Sequence, residues 1–297
     1  MKRILITGTN SYVGNSFKNY VAQWPDEYQI DTISLRDGTW REKNFGGYDS
    51  IFHVAGIAHS DTGHASKKTK SEYYRINTDL TIEVAAKAKQ DGVKQFIFMS
   101  SIIVYGDSAP IGKKKVITKD TVPCPSNFYG DSKLRAENGI TPLNDESFHV
   151  VIIRAPMIYG KGSKGNYTTL AIVAQMTPVF PNIDNERSML HIDNLCEFIK
   201  AVIDQKDKGM FFPQNQEYVQ TSRLVNTIAV VNGKKIWLTK LFNPVLVLMF
   251  GIGIVNKVFG SLVYDQSMSI YEKANYQMYH FQESIIETEI GNRNERK

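Results

Sequence analysis

Cysteine is scarce in this chain, with only Cys124 and Cys196 among 297 residues. Two thiols cannot staple a disulfide scaffold, and the absence of a CxxC pair or a Cys/His cluster leaves no pattern for a bound metal. A reducing, cytoplasmic setting is the expectation that follows. Internal repeats and low-complexity tracts are also missing. Met1-Lys2-Arg3 leads straight into an apolar strand pattern, so the N-terminus reads as structural, with no signal peptide expected. Charge of one sign is not in large excess: 35 basic against 30 acidic residues give a formal net charge of +5. That balance argues against a nucleic-acid partner and suits a small anionic substrate.

No apolar run is long enough to span a bilayer. The longest, Val245 to Val255, holds eleven residues, or about 16 Å as a helix against a hydrocarbon core of about 30 Å. Pro244 precedes it, Gly251 and Gly253 interrupt it, and Asn256-Lys257 follow. It reads as a buried helix or loop. The competing reading, shallow contact with a membrane face, draws on Lys234, Lys235, Trp237 and Lys240 just upstream.

What is present is an alternation of apolar runs and amphipathic stretches through the first half, the pattern of βαβ units around a parallel sheet. Strands are predicted at Ile4–Thr7, Gln29–Leu35, Ser50–Ala55, Phe96–Ser100 and Val150–Arg154. Val13-Phe17-Tyr20-Val21 and Ile76-Leu80-Val84-Ala88 repeat at helical spacing, the second ending at Gly92, a helix-stop residue. Past Gly160 the elements shorten and Pro, Gly and Asn increase. The expected architecture is α/β, a Rossmann-type parallel sheet with helices on both faces and a smaller C-terminal substrate lobe. Residues 1–160 form the nucleotide-binding domain; residues 161–297 form the lobe, partly interleaved with the sheet.

Ile4-Leu5-Ile6-Thr7-Gly8-Thr9-Asn10-Ser11-Tyr12-Val13-Gly14 runs from strand to helix through a tight turn. Backbone N–H groups and the helix dipole at such a turn attract a pyrophosphate, and glycines let the backbone approach it. Gly8 and Gly14 take the outer places of a glycine pattern whose middle place is Ser11. The Ser11 hydroxyl is expected to hydrogen-bond a phosphate instead. Asn10, Tyr12 and Val13 complete the turn, and Val54, Ala55 and Gly56, after the third strand, line the same crevice.

Cofactor choice is read at the end of the second strand, where a carboxylate favours NAD and its replacement by Arg favours NADP. With Ser34 terminal, Ser34 and Arg36 suit the 2′-phosphate of NADPH, with Arg3 a further contact. With the register slipped, Asp31 or Asp37 would serve NAD. NADPH is the expected cofactor and NAD the alternative.

Tyr129 and Lys133 lie at i and i+4, so they share a face of a helix beginning near Ser126. A free tyrosine, with a pKa near 10, is poorly matched to proton transfer at neutral pH. A neighbouring ammonium favours the phenolate. Lowering the phenol by about three units takes about 4 kcal/mol, which a close lysine plus a cofactor's positive charge in a dry site would supply. Ser101, closing the preceding strand, is placed to hold the same substrate oxygen. His53 reads as a packed sheet residue, and Lys113-Lys114-Lys115 as a solvated loop.

With these residues in place, the chain resembles the extended short-chain dehydrogenases/reductases of the NAD-dependent epimerase/dehydratase family, in the branch that acts on nucleotide sugars. The matching landmarks are Thr7-Gly8, Phe52-His53-Val54-Ala55-Gly56, Asn77, Ser100-Ser101-Ile102-Ile103-Val104-Tyr105-Gly106 and Tyr129-Gly130-Asp131-Ser132-Lys133. Arg154-Ala155-Pro156-Met157-Ile158-Tyr159-Gly160 and Arg187-Ser188-Met189-Leu190-His191-Ile192-Asp193 follow in the family's order. The resemblance implies that Ser101, Tyr129 and Lys133 are catalytic, with Lys133 also holding the cofactor. It implies that Ser101, Tyr129, Asn166 and Arg187 bind substrate, Arg187 at the diphosphate. The family's 4,6-dehydratases carry Asp-Glu directly after the hydroxyl residue, whereas Ile102-Ile103 stand here, so dehydration is not expected. An NADPH-dependent 4-ketoreductase acting on a UDP-4-keto-6-deoxy-N-acetylhexosamine for surface or capsule polysaccharide is the expected enzyme. A 4-epimerase of UDP-glucose or UDP-N-acetylglucosamine with bound NAD is the alternative, and a non-catalytic dinucleotide sensor a further one. The resemblance also implies a homodimer through paired helices.

Overall fold

The computed structural model describes residues 1–58, 66–249 and 253–295. Strand β1 (Lys2–Thr7) leads into helix α1 (Tyr12–Val21), then β2 (Tyr28–Ile33) and β3 (Ser50–His53). Helix α2 (Lys67–Tyr73) passes through a π-helical turn, Tyr74–Asp79, into α3 (Leu80–Gln90). Strand β4 (Gln95–Ser101) ends in a 3₁₀ turn, Ile102–Tyr105, followed by the short β5 (Val116–Ile117), α4 (Phe128–Ile140) and β6 (His149–Ala155). The lobe is built from β7 (Met157–Tyr159), α5 (Asn166–Met176), β8 (Val179–Pro181) and β9 (Met189–His191). The chain then returns to the sheet through α6 (Ile192–Asp204) and β10 (Gly209–Phe211). It finishes with α7 (Thr221–Val231), β11 (Trp237–Thr239), α8 (Asn243–Leu248), α9 (Gly253–Phe259), β12 (Val263–Tyr264) and α10 (Phe281–Glu295).

Six parallel strands form the sheet in the order β10-β6-β4-β3-β1-β2. Strand alternation sorts the core into two faces. Ile4, Ile6, Phe52, Ile97, Val151 and Ile153 pack with α1 and α6. Leu5, Ile51, Phe96, Phe98, Val150 and Ile152 pack with α3 and α4. The central strands are therefore buried on both sides, which is why they read as continuous apolar runs. The five strands expected from sequence are present, with ends shifted by up to two residues. Strand β10 was not anticipated: it holds three residues, pairs with β6 at the sheet edge, and leaves Met210 exposed.

The strand order changes direction between β1 and β3. In open parallel sheets that switch point opens a crevice at the C-terminal strand ends. Thr7 ends β1 and His53 ends β3, so the Gly8 turn and the Val54-Ala55-Gly56 segment both border it.

The segment after Thr239 departs from expectation. Val245, Val247, Leu248 and Met249 are exposed, and only Leu246 turns back onto the lobe core. Val255, in α9, is buried. Residues 250–252 lie outside the described residues. The buried reading thus fails for α8: six residues starting at a Pro-containing first turn give too short a helix to cover its own apolar surface. Among the described residues, no helix is long and apolar enough to cross a membrane.

Candidate active site

Gly8 turns the chain with φ at +90°, and its amide donates to the Ile33 carbonyl at 2.9 Å. A Cβ there would lie 3.1 Å from the Ala55 Cα, so glycine serves both the left-handed turn and the close passage of the neighbouring strand end. A Cβ on Gly14 would meet Ile6 and Val54 side-chain carbons at 2.9 and 3.0 Å. That residue lets α1 settle on the sheet. Ser11 is the N-cap of α1: its Oγ accepts from the Gly14 amide at 3.2 Å. The expected phosphate bond therefore takes second place to capping, although the hydroxyl proton remains to be donated. Asn10 is exposed beside it, and Tyr12 and Val13 pack half-buried on the core below.

At the end of β2 the register is fixed by Thr7 opposite Ile33, so Ser34 is the first residue beyond the strand. Its hydroxyl accepts from the Arg36 amide at 3.3 Å, and the Arg36 side chain is exposed. Asp31 lies inside the strand, bonded to the Tyr48 hydroxyl at 2.9 Å and paired with Arg3, away from the strand end. Asp37 is folded into its own turn, accepting from the Thr39 amide and hydroxyl. Arg3 sits at the start of β1, at the far end of the sheet, where it donates to the Gly47 carbonyl and stacks on Tyr48. It cannot reach a cofactor at the Gly8 turn, and that expectation is corrected.

Helix α4 starts two residues later than the expected Ser126, because Asn127 caps it by accepting from the Gly130 amide at 2.9 Å. The first turn is clamped from the side. Ser132 Oγ donates to the Tyr129 carbonyl at 2.8 Å and accepts from Asn77 Nδ2 at 3.1 Å, while Thr78 donates to the Ser132 carbonyl at 2.7 Å. Asn77, buried in the π-helical turn, also accepts from the Ile57 amide at 2.8 Å. Such turns are frequent at functional sites because they re-aim side chains within a helix. Asn77 was a family landmark only. The structure shows it tying the crevice strand to the Tyr129 helix.

The Lys133 ammonium is buried, donates to the Met99 carbonyl at 2.9 Å, and lies 4.7 Å from the Phe98 ring centroid. A Cβ on Gly56 would stand 3.5 Å from that nitrogen and 3.1 Å from Asn77 Oδ1. The crevice thus carries a cation at its floor with only a glycine above it. Burial lowers the Lys133 pKa to about 8, with Glu137 one turn on pulling it back up.

The protein's own groups leave Tyr129 protonated. Burial, with Tyr73 edge-on 6.1 Å away, pushes its phenol up to about 12. Among the described residues, no hydrogen bond joins it to Lys133, which gives one of its three N–H donors to the Met99 carbonyl. Desolvation therefore outweighs the neighbouring ammonium, and the protein alone holds a neutral phenol. Ser101, the last residue of β4, caps the 3₁₀ turn by accepting from the Ile103 amide at 3.4 Å. The Ile103 carbonyl would lie 2.8 Å from a Cβ on Gly130, so the Ser101 turn and the Tyr129 turn are in backbone contact.

Beneath them, Arg154 and Glu137 form a buried ion pair, with Nη2 2.6 Å from Oε2. Glu137 also accepts from Ser100 Oγ, and Arg154 donates to the Tyr105 hydroxyl at 2.6 Å. This network joins β4, β6, α4 and the 3₁₀ turn. His53 is fully buried between the Thr7 and Thr81 hydroxyls, at 2.9 and 3.0 Å, and burial holds its pKa near 3. It is a packed sheet residue.

Arg187 and Asn166 stand apart in the lobe. Arg187 bridges Val219 and Leu262 through its backbone and donates to the Lys257 carbonyl. Among the described residues no carboxylate pairs with it, and burial alone lowers its pKa to about 10. Asn166 opens α5 behind Gly165, a cap with no side-chain bond, so the first amides of that helix stay available. Register connects the lobe to the crevice: Ala155 pairs with Ser101, and Met157, two residues on, pairs with Met189 just past Arg187. In the expected solvated loop, Lys115 instead donates to the Tyr105 and Asp107 carbonyls, and Lys114 pairs with Glu186.

A family model described as the NAD dependent epimerase/dehydratase family matches residues 4–212. A UDP-glucose 4-epimerase of Vibrio cholerae is 30% identical over 296 residues, covering 90% of this chain and 88% of that protein. A UDP-2-acetamido-2,6-beta-L-arabino-hexul-4-ose reductase of Pseudomonas aeruginosa is 24% identical over 220 residues, 69% of this chain and 50% of that one. Among solved structures, the UDP-N-acetylglucosamine 4-epimerase of Bacillus cereus superposes with a TM-score of 0.76 at 17% identity, covering 99% of this chain and 100% of the other.

Proposed function

From its membership of the NAD-dependent epimerase/dehydratase family, to which this chain belongs, we propose a nucleotide-sugar 4-ketoreductase that uses NADPH. Its substrate in this reading is a UDP-4-keto-6-deoxy-N-acetylhexosamine, of the kind incorporated into surface polysaccharide. The observation that carries the proposal is the β2 terminus. Ser34 follows the strand directly, Arg36 is exposed beside it, and the nearby carboxylates are engaged elsewhere. That arrangement offers a cation for a 2′-phosphate, with Asp31 held inside the strand and Asp37 folded into its own turn.

The residues fit a dinucleotide. Gly8, Ser11 and the start of α1 would meet the pyrophosphate; Val54, Ala55 and Gly56 leave room along the crevice; the Lys133 ammonium beside Gly56 would meet ribose hydroxyls. When bound, the cofactor supplies a hydride to C4 of the keto sugar. Ser101 Oγ orients the C4 oxygen, and the Tyr129 phenol protonates it as the alkoxide forms. A phenol at about 12 is still a stronger acid than the sugar alcohol formed when the alkoxide takes its proton, so donation runs downhill. Arg187, a cation with no carboxylate partner among the described residues, and the open amides at Asn166 are assigned to the diphosphate.

The Vibrio cholerae likeness favours a second reading, a UDP-sugar 4-epimerase that retains NAD. Denaturing the purified protein and identifying the released nucleotide separates the two. The reductase predicts an empty site that responds to added NADPH. Abundant tightly held NAD contradicts it and supports the epimerase.

A further inference from the structure

The lobe has one edge on which exposed apolar side chains and unpaired lysines coincide. Met176 ends α5, Val230 lies near the end of α7, and Trp237 opens β11 beside Val179 of β8. Leu241, Val245 and Leu248 continue the surface onto α8, and Trp237, Leu241 and Leu248 are 79%, 78% and 87% exposed. These elements are stitched together. The Trp237 amide donates to the Pro178 carbonyl at 2.8 Å, Lys234 donates to the Gln175 carbonyl, and Asn243 donates to the Asn182 carbonyl at 2.9 Å.

Charge on this edge is one-sided. Residues 218–264 contain no aspartate or glutamate but hold Lys234, Lys235, Lys240 and Lys257, besides Arg223, which pairs with Glu217, and residues 166–183 carry no charged side chain. Elsewhere lysines are commonly paired, as in Lys2–Asp204, Lys87–Asp91, Lys89–Asp145 and Lys273–Asp207. Among the described residues, Lys234, Lys235 and Lys240 are exposed and meet no carboxylate. A protein partner would match such a surface with discrete acids at fixed places. A laterally fluid sheet of negative headgroups over hydrocarbon matches it without them, taking Trp237 and Leu248 into the interface and leaving the lysines among phosphates.

We propose that this edge is a peripheral membrane-binding face for bilayers rich in anionic phospholipid. It docks the substrate lobe shallowly and does not span. The inference goes beyond the reductase reading and does not depend on it.

The test is co-sedimentation of the full chain with phosphatidylglycerol/phosphatidylcholine vesicles and with pure phosphatidylcholine vesicles, alongside sedimentation velocity without lipid. Binding is expected only to the anionic vesicles, weakening as salt is raised. The double variant Lys235→Gln/Lys240→Gln should lose roughly 25-fold in partitioning, about fivefold per lysine. Leu248→Asp should reduce binding at least as much. All the substituted side chains are exposed, so an unchanged circular-dichroism melt checks that folding is intact. Failure of the wild-type chain to bind anionic vesicles at low salt overturns the proposal. So does a self-associating chain that Leu248→Asp converts to monomer with vesicle binding unchanged, since the occupant is then a second copy.

Discussion

Gly130 brings the backbone of α4 against the Ile103 carbonyl, so close that a methyl group at this glycine would stand 2.8 Å from the oxygen. The contact sets the distance between the Ser101 turn and the helix that carries Tyr129. Gly130→Ala must push the two apart. Displacements near 1 Å in a reacting assembly cost up to about 100-fold. The variant is expected to lose about 10- to 100-fold in kcat, with a smaller loss of NADPH affinity, since of the proposed cofactor contacts only Lys133 moves with this helix. Stopped-flow turnover and cofactor titration on the same sample check the split.

Cofactor preference should be reversible at one position. Ser34→Asp places a carboxylate at the first position beyond β2, the place the proposed site gives to the ribose. It repels a 2′-phosphate and accepts from a 2′-hydroxyl. A charged hydrogen bond gained or lost is worth about 1.5–3 kcal/mol, so the NADPH:NADH ratio of kcat/KM should fall roughly 10- to 150-fold. An unchanged ratio would remove Ser34 from the site.

The depressed Lys133 pKa gives opposite pH trends for activity and stability. In the proposed mechanism the ammonium is the working form, and its folded value of about 8 lies below the ordinary 10.5. Activity should therefore fall as pH rises through 8. Over the window from about 8 to 10.5 the unfolded chain binds the extra proton, so this group makes folding more favourable as pH rises. A kcat/KM profile with an alkaline limb near 8, beside urea midpoints that do not fall from this group in the same window, is the expected pair.

The Arg154–Glu137 pair is buried, so losing one partner strands a charge. Glu137→Gln is expected to cost about 3–5 kcal/mol in urea unfolding. Glu137→Gln with Arg154→Met should recover part of that loss. If the single change costs under about 1 kcal/mol, the network does not anchor α4 to the sheet.

Much of this was legible in the residues themselves. Ile4, Leu5 and Ile6 announce a strand buried on both faces, and Gly8 and Gly14 announce a turn and a close helix contact, because these demands act over a few neighbouring positions. The burial of His53 could likewise be read from its place in an apolar strand. What sequence did not show depends on parts far apart in the chain. Arg154 meets Glu137 through pairing of β4 with β6, and Asn77 meets Ser132 across a π-helical turn. Strand β10 holds three residues and takes its identity from β6. The pKa of Tyr129 turned on how much water the fold removes, which spacing to Lys133 does not report. The apolar letters of α8 suggested burial, but burial needs a partner surface, and Leu248 has none among the described residues.

Tyr129→Phe is the most direct probe of the central claim, that this phenol delivers the proton as C4 is reduced. The variant should bind NADPH as the parent does, yet oxidise it with UDP-4-keto-6-deoxy-N-acetylglucosamine roughly 10²- to 10⁴-fold more slowly in a single turnover. Turnover within about twofold of the parent would contradict the account.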